Sequence, residues 1–487
     1  MLFKPRNEKL WDTWIVPHNN KYYLFYLRVS SRSERWDGVS LAVSDDLLHW
    51  KWYGEVLNKS DEALWLGTGM VVEKEGEFIM NYSEECPKGS QHIKFARSKD
   101  LLHWEKLPEE SWPDGNYYVS DNATSCYPLY RWDSLGVFTV NKKYYAFLTA
   151  SNNRSEVKGR VGALGLVCSN DLLNWQCLPC PAVSPEDYPN YEVPEYVSFG
   201  ERHYAIFSTN SKAGFRFDDC EGQCGGVYYL CSDDPLKGYR KPSCDNMLLG
   251  VRNVFNVYTL AVGRTIVDFK GRRILYHHWG SQDIDGISGI PKVLVEKRPY
   301  ELELRYMPEV DTLKGKKINI VSAVLGKCNG MLPPIDYAID GSSVFFTPTG
   351  TSGTVDFELD DISANGLIVE FEMTATCGCV GICYDSNDPI GVLFDYRIDK
   401  IEFSTIHDGW ECNLFEMPQL VVKHNLLDCE KYKVKIFSRL NCFEVYIDDV
   451  YVAAYRHEFD VKYRRLSLFA ENTDARIEKM KVFRFEV

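Results

Sequence analysis

A chain of 487 residues that is 45% hydrophobic and 14% aromatic can fill large packed cores, which excludes a disordered protein. Its net charge of -14 argues against a nucleic-acid or anionic-membrane partner, because phosphate binding needs concentrated Lys and Arg; a small neutral or polar substrate fits better. The start MLFKPRNEKLWDTW lacks the apolar stretch of a secretory signal and no segment reaches about 18 apolar residues, so a cytoplasmic protein without a membrane partner is expected.

The first elements form a hairpin, Thr13 to His18 and Lys21 to Tyr26, turning at Asn19 and Asn20. Strands at Val39 to Ser44 and Lys51 to Gly54 complete a unit of four. The second strand, KYYLFY from Lys21, recurs as EFIMNY from Glu77, KYYAFL from Lys143, RHYAIF from Arg202 and RRILYH from Arg272. Behind it SDDLLHW at 44–50 recurs as SKDLLHW at 98–104, SNDLLNW at 169–175 and, degenerate, SDDPLKGY at 232–239. This segment suits a turn between the third and fourth strands, with Ser and Asp capping backbone groups and Leu and Trp packing between units. Self-similarity at a fixed period, four short strands per unit and five units predict an all-β chain whose residues 1–312 form a five-bladed β-propeller; one β-sandwich is the alternative. At Val310 the repeats stop, and VDTLKGKK reads as a linker. Segments such as GLIVEFEM, YKVKIFSR, CFEVYIDD and RRLSLFAE then predict a supporting β-sandwich over 318–487.

Three of the five units open with a carboxylate at a matched offset from the second strand. Asp12 precedes Lys21 by nine residues, Asp133 precedes Lys143 by ten and Glu192 precedes Arg202 by ten. Units two and five place Thr68 or Gly67 and Gly263 or Val262 there instead. The first strand of each propeller blade lines the axis, so the three acids are expected to converge at one mouth, with Thr68 and the Gly263 region as its uncharged side. Converging carboxylates suit glycoside hydrolysis, in which one acid protonates a leaving oxygen while another attacks or stabilises the cationic sugar carbon. Trp11, Trp14, Trp36, Trp65 and Trp132 are candidate faces for sugar rings, against the ordinary alternative that a propeller tryptophan belongs to the core. Asp121 is the substitute should the Asp133 loop be misplaced, while His277 and His278 read as packing residues.

The blocks LWDTWIVPHNNKYYLFYL, LWLGTGMVV, RWDSLGVF, GALGLVCSNDLLNW and EVPEYVSF resemble, in that order, those of glycoside hydrolase family 32, the β-fructofuranosidases. That family shares a clan with family 68 and is similar in fold to family 43. The resemblance spans nearly the whole chain and implies a five-bladed propeller joined to a β-sandwich. It implies a retaining hydrolase of terminal furanosides, β-fructofuranosides first, with Asp12 as nucleophile, Asp133 as transition-state stabiliser and Glu192 as acid/base. It also makes Arg131 and Glu195, with Trp36, Trp65 and Thr68, candidates for substrate contact. Where the family reads Asn-Asp-Pro-Asn-Gly, this chain has Trp-Asp-Thr-Trp at 11–14; where it reads Arg-Asp-Pro, Trp132 separates Arg131 from Asp133. Glu192-Val-Pro-Glu195 keeps the spacing of Glu-Cys-Pro-Asp.

The alternatives are an inverting arabinofuranosidase or xylosidase resembling family 43, and a propeller that binds carbohydrate without turning it over. No cofactor is required by either chemistry. Sixteen scattered cysteines suit reduced thiols in a large chain, and the pairs Cys177 with Cys180 and Cys220 with Cys224 lack the second pair that a structural zinc needs. A small carbohydrate is the expected partner, and a homo-oligomer is compatible with every feature above.

Overall fold

The computed structural model describes all residues except 88–90, 121–129, 153–161, 210–222, 254–260, 281–284, 329–334, 362–364, 387–388, 409–413, 424–425, 429 and 458. Asp121 and Cys220 therefore lie outside the described residues. Cys177 and Cys180 are free thiols, each pushed up to about 11 by burial.

Five antiparallel sets of four strands follow one another along the chain, the first three as separate sheets and the last two continuous with sheets of the C-terminal region, and each begins with the strand nearest the axis. Blade 1 comprises Lys9–His18, Lys21–Val29, Gly38–Ser44 and Lys51–Asn58. Blade 2 is Trp65–Lys74, Glu77–Glu85, Gln91–Ser98 and Glu105–Ser111, and blade 3 is Trp132–Val140, Lys143–Ser151, Gly162–Ser169 and Gln176–Leu178. Blade 4 has Glu192–Phe199, Arg202–Thr209, Gln223–Ser232 and Met247–Asn253; blade 5 has Ala261–Val267, Arg273–Trp279, Lys292–Arg298 and Glu301–Arg305. The innermost strands touch their neighbours in ring order, and that of blade 5 returns to blade 1. The chain before blade 1 and the start of its first strand help close the ring: Leu2 N–H donates to the Ser288 carbonyl at 3.0 Å and Leu10 bridges Gly286.

The repeated S-x-D-L-L-x-W segment earns its recurrence in the turn after each third strand. Ser44 Oγ accepts from the backbone N–H groups of Asp46 and Leu47, and Asp46 Oδ1 accepts from those of Leu48 and His49 at 2.9 Å each. The turn forces Leu47 to φ 70°, and Trp50 Nε1 secures it by donating to the Leu47 carbonyl at 3.1 Å. Leu101 and Leu172, at φ 66° and 74°, occupy the same place in blades 2 and 3, again under an indole N–H from Trp104 and Trp175. A left-handed conformation is costly for a leucine, so side-chain caps and burial of the leucine must offset it.

The C-terminal region packs a seven-stranded sheet and an eight-stranded one over one apolar core that includes Val355, Phe371, Val392, Ile436, Leu468 and Val482. Its junction with the propeller differs from the expected linker. Pro308–Leu313 forms a 3-10 helix and Lys314–Ile318 pairs with the strand Arg476–Phe485. The outer edges of blades 4 and 5 meet the two C-terminal sheets through Asn253 opposite Leu420 and Arg305 opposite Val450. Tyr306, Leu313, Phe437, Tyr446 and Phe485 share one core with blade 5.

An ionic cluster is sealed in that seam. Lys292 Nζ donates to Glu444 Oε2 at 2.7 Å and to the Ile290 carbonyl at 2.7 Å, and lies 3.0 Å from His277 Nε2. Glu444 also accepts from the Ile290 N–H at 3.1 Å and the Tyr446 hydroxyl at 3.0 Å. Burial raises the cost of charge on Glu444, but Lys292 and His277 outweigh it and hold its pKa down at about 2.

Candidate active site

The acids stand where the innermost strands break their ladders. The register of blade 1 shifts between Trp11 and Thr13, that of blade 2 between Gly67 and Met70, that of blade 3 opposite Phe147 and Thr149, and that of blade 4 between Glu192 and Glu195. A bulge adds a residue, bends the strand and re-aims a side chain; Asp12 and Thr68 are among the bulged residues of their strands, and Asp133 and Glu192 are the last paired residues before the bulge of theirs. The residues following two of the acids, Ser134 at φ 63° and Val193 at φ 50°, pass through the left-handed region to do so. Such backbone persists where the surroundings over-determine it, and Thr149 Oγ1 accepts the Val193 N–H at 3.1 Å.

The convergence is direct. Arg131 donates from Nη1 to Glu192 Oε1 at 2.6 Å and from Nη2 to Glu192 Oε2 at 2.8 Å, a two-pronged pairing, and Nη2 reaches Asp133 Oδ2 at 3.3 Å. Gln91 Oε1 accepts the Arg131 Nε–H at 3.2 Å, which orients the fork. Asn190 Nδ2 donates to Glu192 Oε1 at 3.1 Å, and Ser83 Oγ donates to Asp133 Oδ1. Thr68 Oγ1 donates to Asp12 Oδ2, while Asp12 Oδ1 lies 3.7 Å from His278 Nε2. Space is tight behind Asp133: a Cβ on Gly67 would lie 2.1 Å from Ser83 Oγ and 2.7 Å from Asp133 Oδ1, so only glycine fits the LGTG segment there.

Charge is concentrated faster than it is neutralised. Burial pushes Asp12 up to about 7, and Asp133 and Glu192 add to the rise against the Thr68 hydrogen bond and Arg264. Burial also raises Asp133, with Arg131 and Ser83 opposing. A fourth carboxylate belongs to the group. Glu85 follows Ser83 by two residues on the same face of its strand, is 3% exposed, and is pushed up to about 7 by burial, with Arg131 lowering and Asp133 raising it. Burial works against charge on Arg131, yet Glu192 and Asp133 together raise its pKa. Buried carboxylates raised in this way mark sites of proton chemistry.

The tryptophans divide. Trp11 and Trp36 are half-buried with rings 6.1 Å apart, and the Arg35 guanidinium lies 5.4 Å from the ring of Trp65 and 6.0 Å from that of Trp36. These three cluster together and keep accessible surface. Trp14 and Trp132 do not. Trp14 is 1% exposed and stacks on Phe25, and Trp132 is fully buried against Tyr118 with Nε1 toward Ser111, so both belong to the core and neither offers a face to a sugar. Glu195 departs from expectation too. Its carboxylate accepts from the Thr265 N–H at 2.8 Å and hydroxyl at 2.9 Å, with Arg264 Nε 3.6 Å away, which makes it a tie between blades 4 and 5.

Blades 2 and 5 are not the uncharged side that their first strands suggested. Blade 2 sends Glu85 from its second strand, and blade 5 sends Arg264, whose Nη1 donates to the Gly69 carbonyl at 2.5 Å, together with His278. Glu85, Ser83, Gln91 and Asn190 escaped the sequence reading, and His278, read there as packing, instead faces Asp12. The alternation of Asn81, Ser83 and Glu85 along one face was the signal available for two of them.

Residues 13–235 match the family model for the glycosyl hydrolases family 32 N-terminal domain. The fold is similar to that of a sucrose-6-phosphate hydrolase from Lactobacillus gasseri, with TM-score 0.68 at 14% identity over 100% of this chain and 93% of that one. It is also similar to an exo-inulinase from Aspergillus awamori, with TM-score 0.65 at 14% identity over 99% and 97%, and to a Bombyx mori β-fructofuranosidase, with TM-score 0.64 at 13% identity over 99% and 92%.

Proposed function

We propose that this chain, a divergent glycoside hydrolase with a family 32 N-terminal domain, cleaves a terminal furanoside from a small oligosaccharide or glycoside with retention of configuration, β-fructofuranosides being the first substrates to test. The observation that carries the proposal is the meeting of Asp12, Asp133 and Glu192, each at the register break of a different blade's innermost strand, in one buried group in which Arg131 bridges Asp133 and Glu192.

Each acid then has a part. Asp12, whose second oxygen is already engaged by Thr68, attacks the anomeric carbon and forms a glycosyl ester. Glu192 protonates the departing oxygen, then takes a proton from the water that hydrolyses the ester. Asp133, held by Ser83, lies opposite the positive charge that develops on the ring. The resting site must change first. Asp12 has to lose a proton that burial favours below about pH 7, Glu192 has to take one up before it can act as the acid, and Arg131 has to yield one of its hydrogen bonds to Glu192 so that this oxygen can carry it. A sugar hydroxyl placed between Arg131 and Glu192 would do the last. Trp11, Trp36 and Trp65 would receive the apolar face of the sugar ring.

The test is turnover on a panel of fructosides, arabinofuranosides and galactofuranosides, with the first-formed product anomer followed by NMR. Retention with loss of activity in Asp12→Asn and Glu192→Gln supports the mechanism; inversion moves the chain to the family 43 type of chemistry, and binding without turnover to a lectin-like role.

A further inference from the structure

Histidine 278 is buried in blade 5, and no step above uses it. It is fully buried, and neither ring nitrogen has a hydrogen-bond partner among the described residues. Its Nε2 lies 3.7 Å from Asp12 Oδ1, which is likewise buried and without a hydrogen-bond partner among them. Two buried polar atoms that face one another and are both unsatisfied cost free energy until they pair.

We propose that His278 is a positioning residue for Asp12. Its neutral imidazole, protonated at Nε2, closes on Asp12 Oδ1 when that carboxylate ionises, so that the attacking group is held by Thr68 on one oxygen and by His278 on the other. The proposal rests on the role given to Asp12 above.

The ring is built in place. Trp11 meets it edge-on at 5.3 Å, and a Cβ on Gly286 would lie 3.2 Å from its Cδ2 and 2.5 Å from the Leu10 carbonyl, so the chain opposite closes down to the width of a glycine. Its strand is tied on the far side by His277, which faces Lys292 and Glu444, and just beyond it Arg456 donates to the carbonyls of Trp279 and Asp285 at 3.2 and 2.7 Å. The C-terminal region thus fixes the strand that carries His278. Desolvation, with His277 and Arg456 adding to it, pushes His278 down to about 3, which keeps the ring a neutral donor rather than a competing cation. The charged and titratable groups around Asp12 are Asp133, Glu192 and Arg264, with Thr68 and His278 in contact.

The 487-residue chain and its variants His278→Leu, His278→Gln and His278→Asn test this. Gln places an amide N–H near the position of Nε2; Asn places one near Nδ1, out of reach of Asp12. The readouts are the pH dependence of carbodiimide labelling at Asp12, located by peptide mass spectrometry, and kcat and KM on whichever furanoside the wild type cleaves. Loss of the donor in Leu and Asn is expected to raise the pH at which Asp12 becomes protected by about 1 to 2 units and to lower kcat about 10- to 100-fold with KM little changed. Gln is expected to restore both. Equal Asp12 labelling profiles in wild type and Leu, or Gln and Leu variants that fall together, overturn the proposal. Undiminished turnover in Asp12→Asn would instead contradict the assigned nucleophile, and the labelling profiles report on the His278 to Asp12 pairing independently of that result.

Discussion

Two buried ionic groups lie on either side of one strand of blade 5, and they have been settled differently. In the seam, Lys292, Glu444 and His277 are closed off, and the carboxylate is met by an ammonium, a backbone N–H and a hydroxyl. At the mouth, Glu85, Asp133 and Glu192 share the Arg131 guanidinium while Asp12 is opposed only by the more weakly acting Arg264, and one oxygen each of Asp12 and Glu85 lacks a hydrogen-bond partner among the described residues. The first arrangement holds Glu444 at about pH 2, the second lifts Asp12 to about 7, although burial pushes both upward. The contrast separates a structural ion pair from a reactive one by compensation, not by depth.

The largest effect that would sharpen this comparison is on catalysis. Asp12→Asn and Glu192→Gln should each lower kcat by about 10³-fold or more on the best substrate, with circular dichroism unchanged. Gly67→Ala should follow, with about a 10²-fold loss of kcat, because the added Cβ displaces Ser83 and Asp133 while their chemistry is intact. In the seam, Glu444→Ala should leave Lys292 buried without its partner and cost about 3 to 5 kcal/mol, read as a lower denaturation midpoint.

The smallest effect is the most particular to the mouth. The pKa of Asp12 is raised on folding, so its stabilising, protonated form is fully present below about pH 4 and is lost as pH rises through about 7. Asp12→Asn removes that penalty. Its melting midpoint should exceed that of wild type by on the order of 5 °C at pH 8 and by little at pH 4. A gain that is equal at both pH values would break the comparison, since Asp12 would then be no more strained than Glu444.

How far the sequence carries the structure depends on whether a residue's work is local. The hairpins, the SDDLLHW turn and the offsets of Asp12, Asp133 and Glu192 are written in short segments, and each appears where its spacing puts it. The propeller and sandwich were legible for that reason. Trp132 was not, because it alternates with Arg131 and Asp133, and only the pleat decides that it turns into the core while they turn toward the mouth. Glu195 keeps the expected spacing from Glu192, yet the bulge between them turns it to Thr265 on blade 5. Glu85 and His278 lie on second strands, far in sequence from the acids they face, Asp133 and Asp12, and nothing in a one-dimensional pattern brings them together. The linker at 310–317 looked polar and loose but gains order from a strand near the C-terminus, Arg476–Phe485.

The most direct measurement is to trap the intermediate. Glu192→Gln, given a furanoside with an activated leaving group that needs no protonation, should form the glycosyl ester and hydrolyse it slowly, so that peptide mass spectrometry finds one sugar on Asp12. An unmodified Asp12 in a variant that still releases the leaving group, with the product anomer inverted by NMR, would contradict the account.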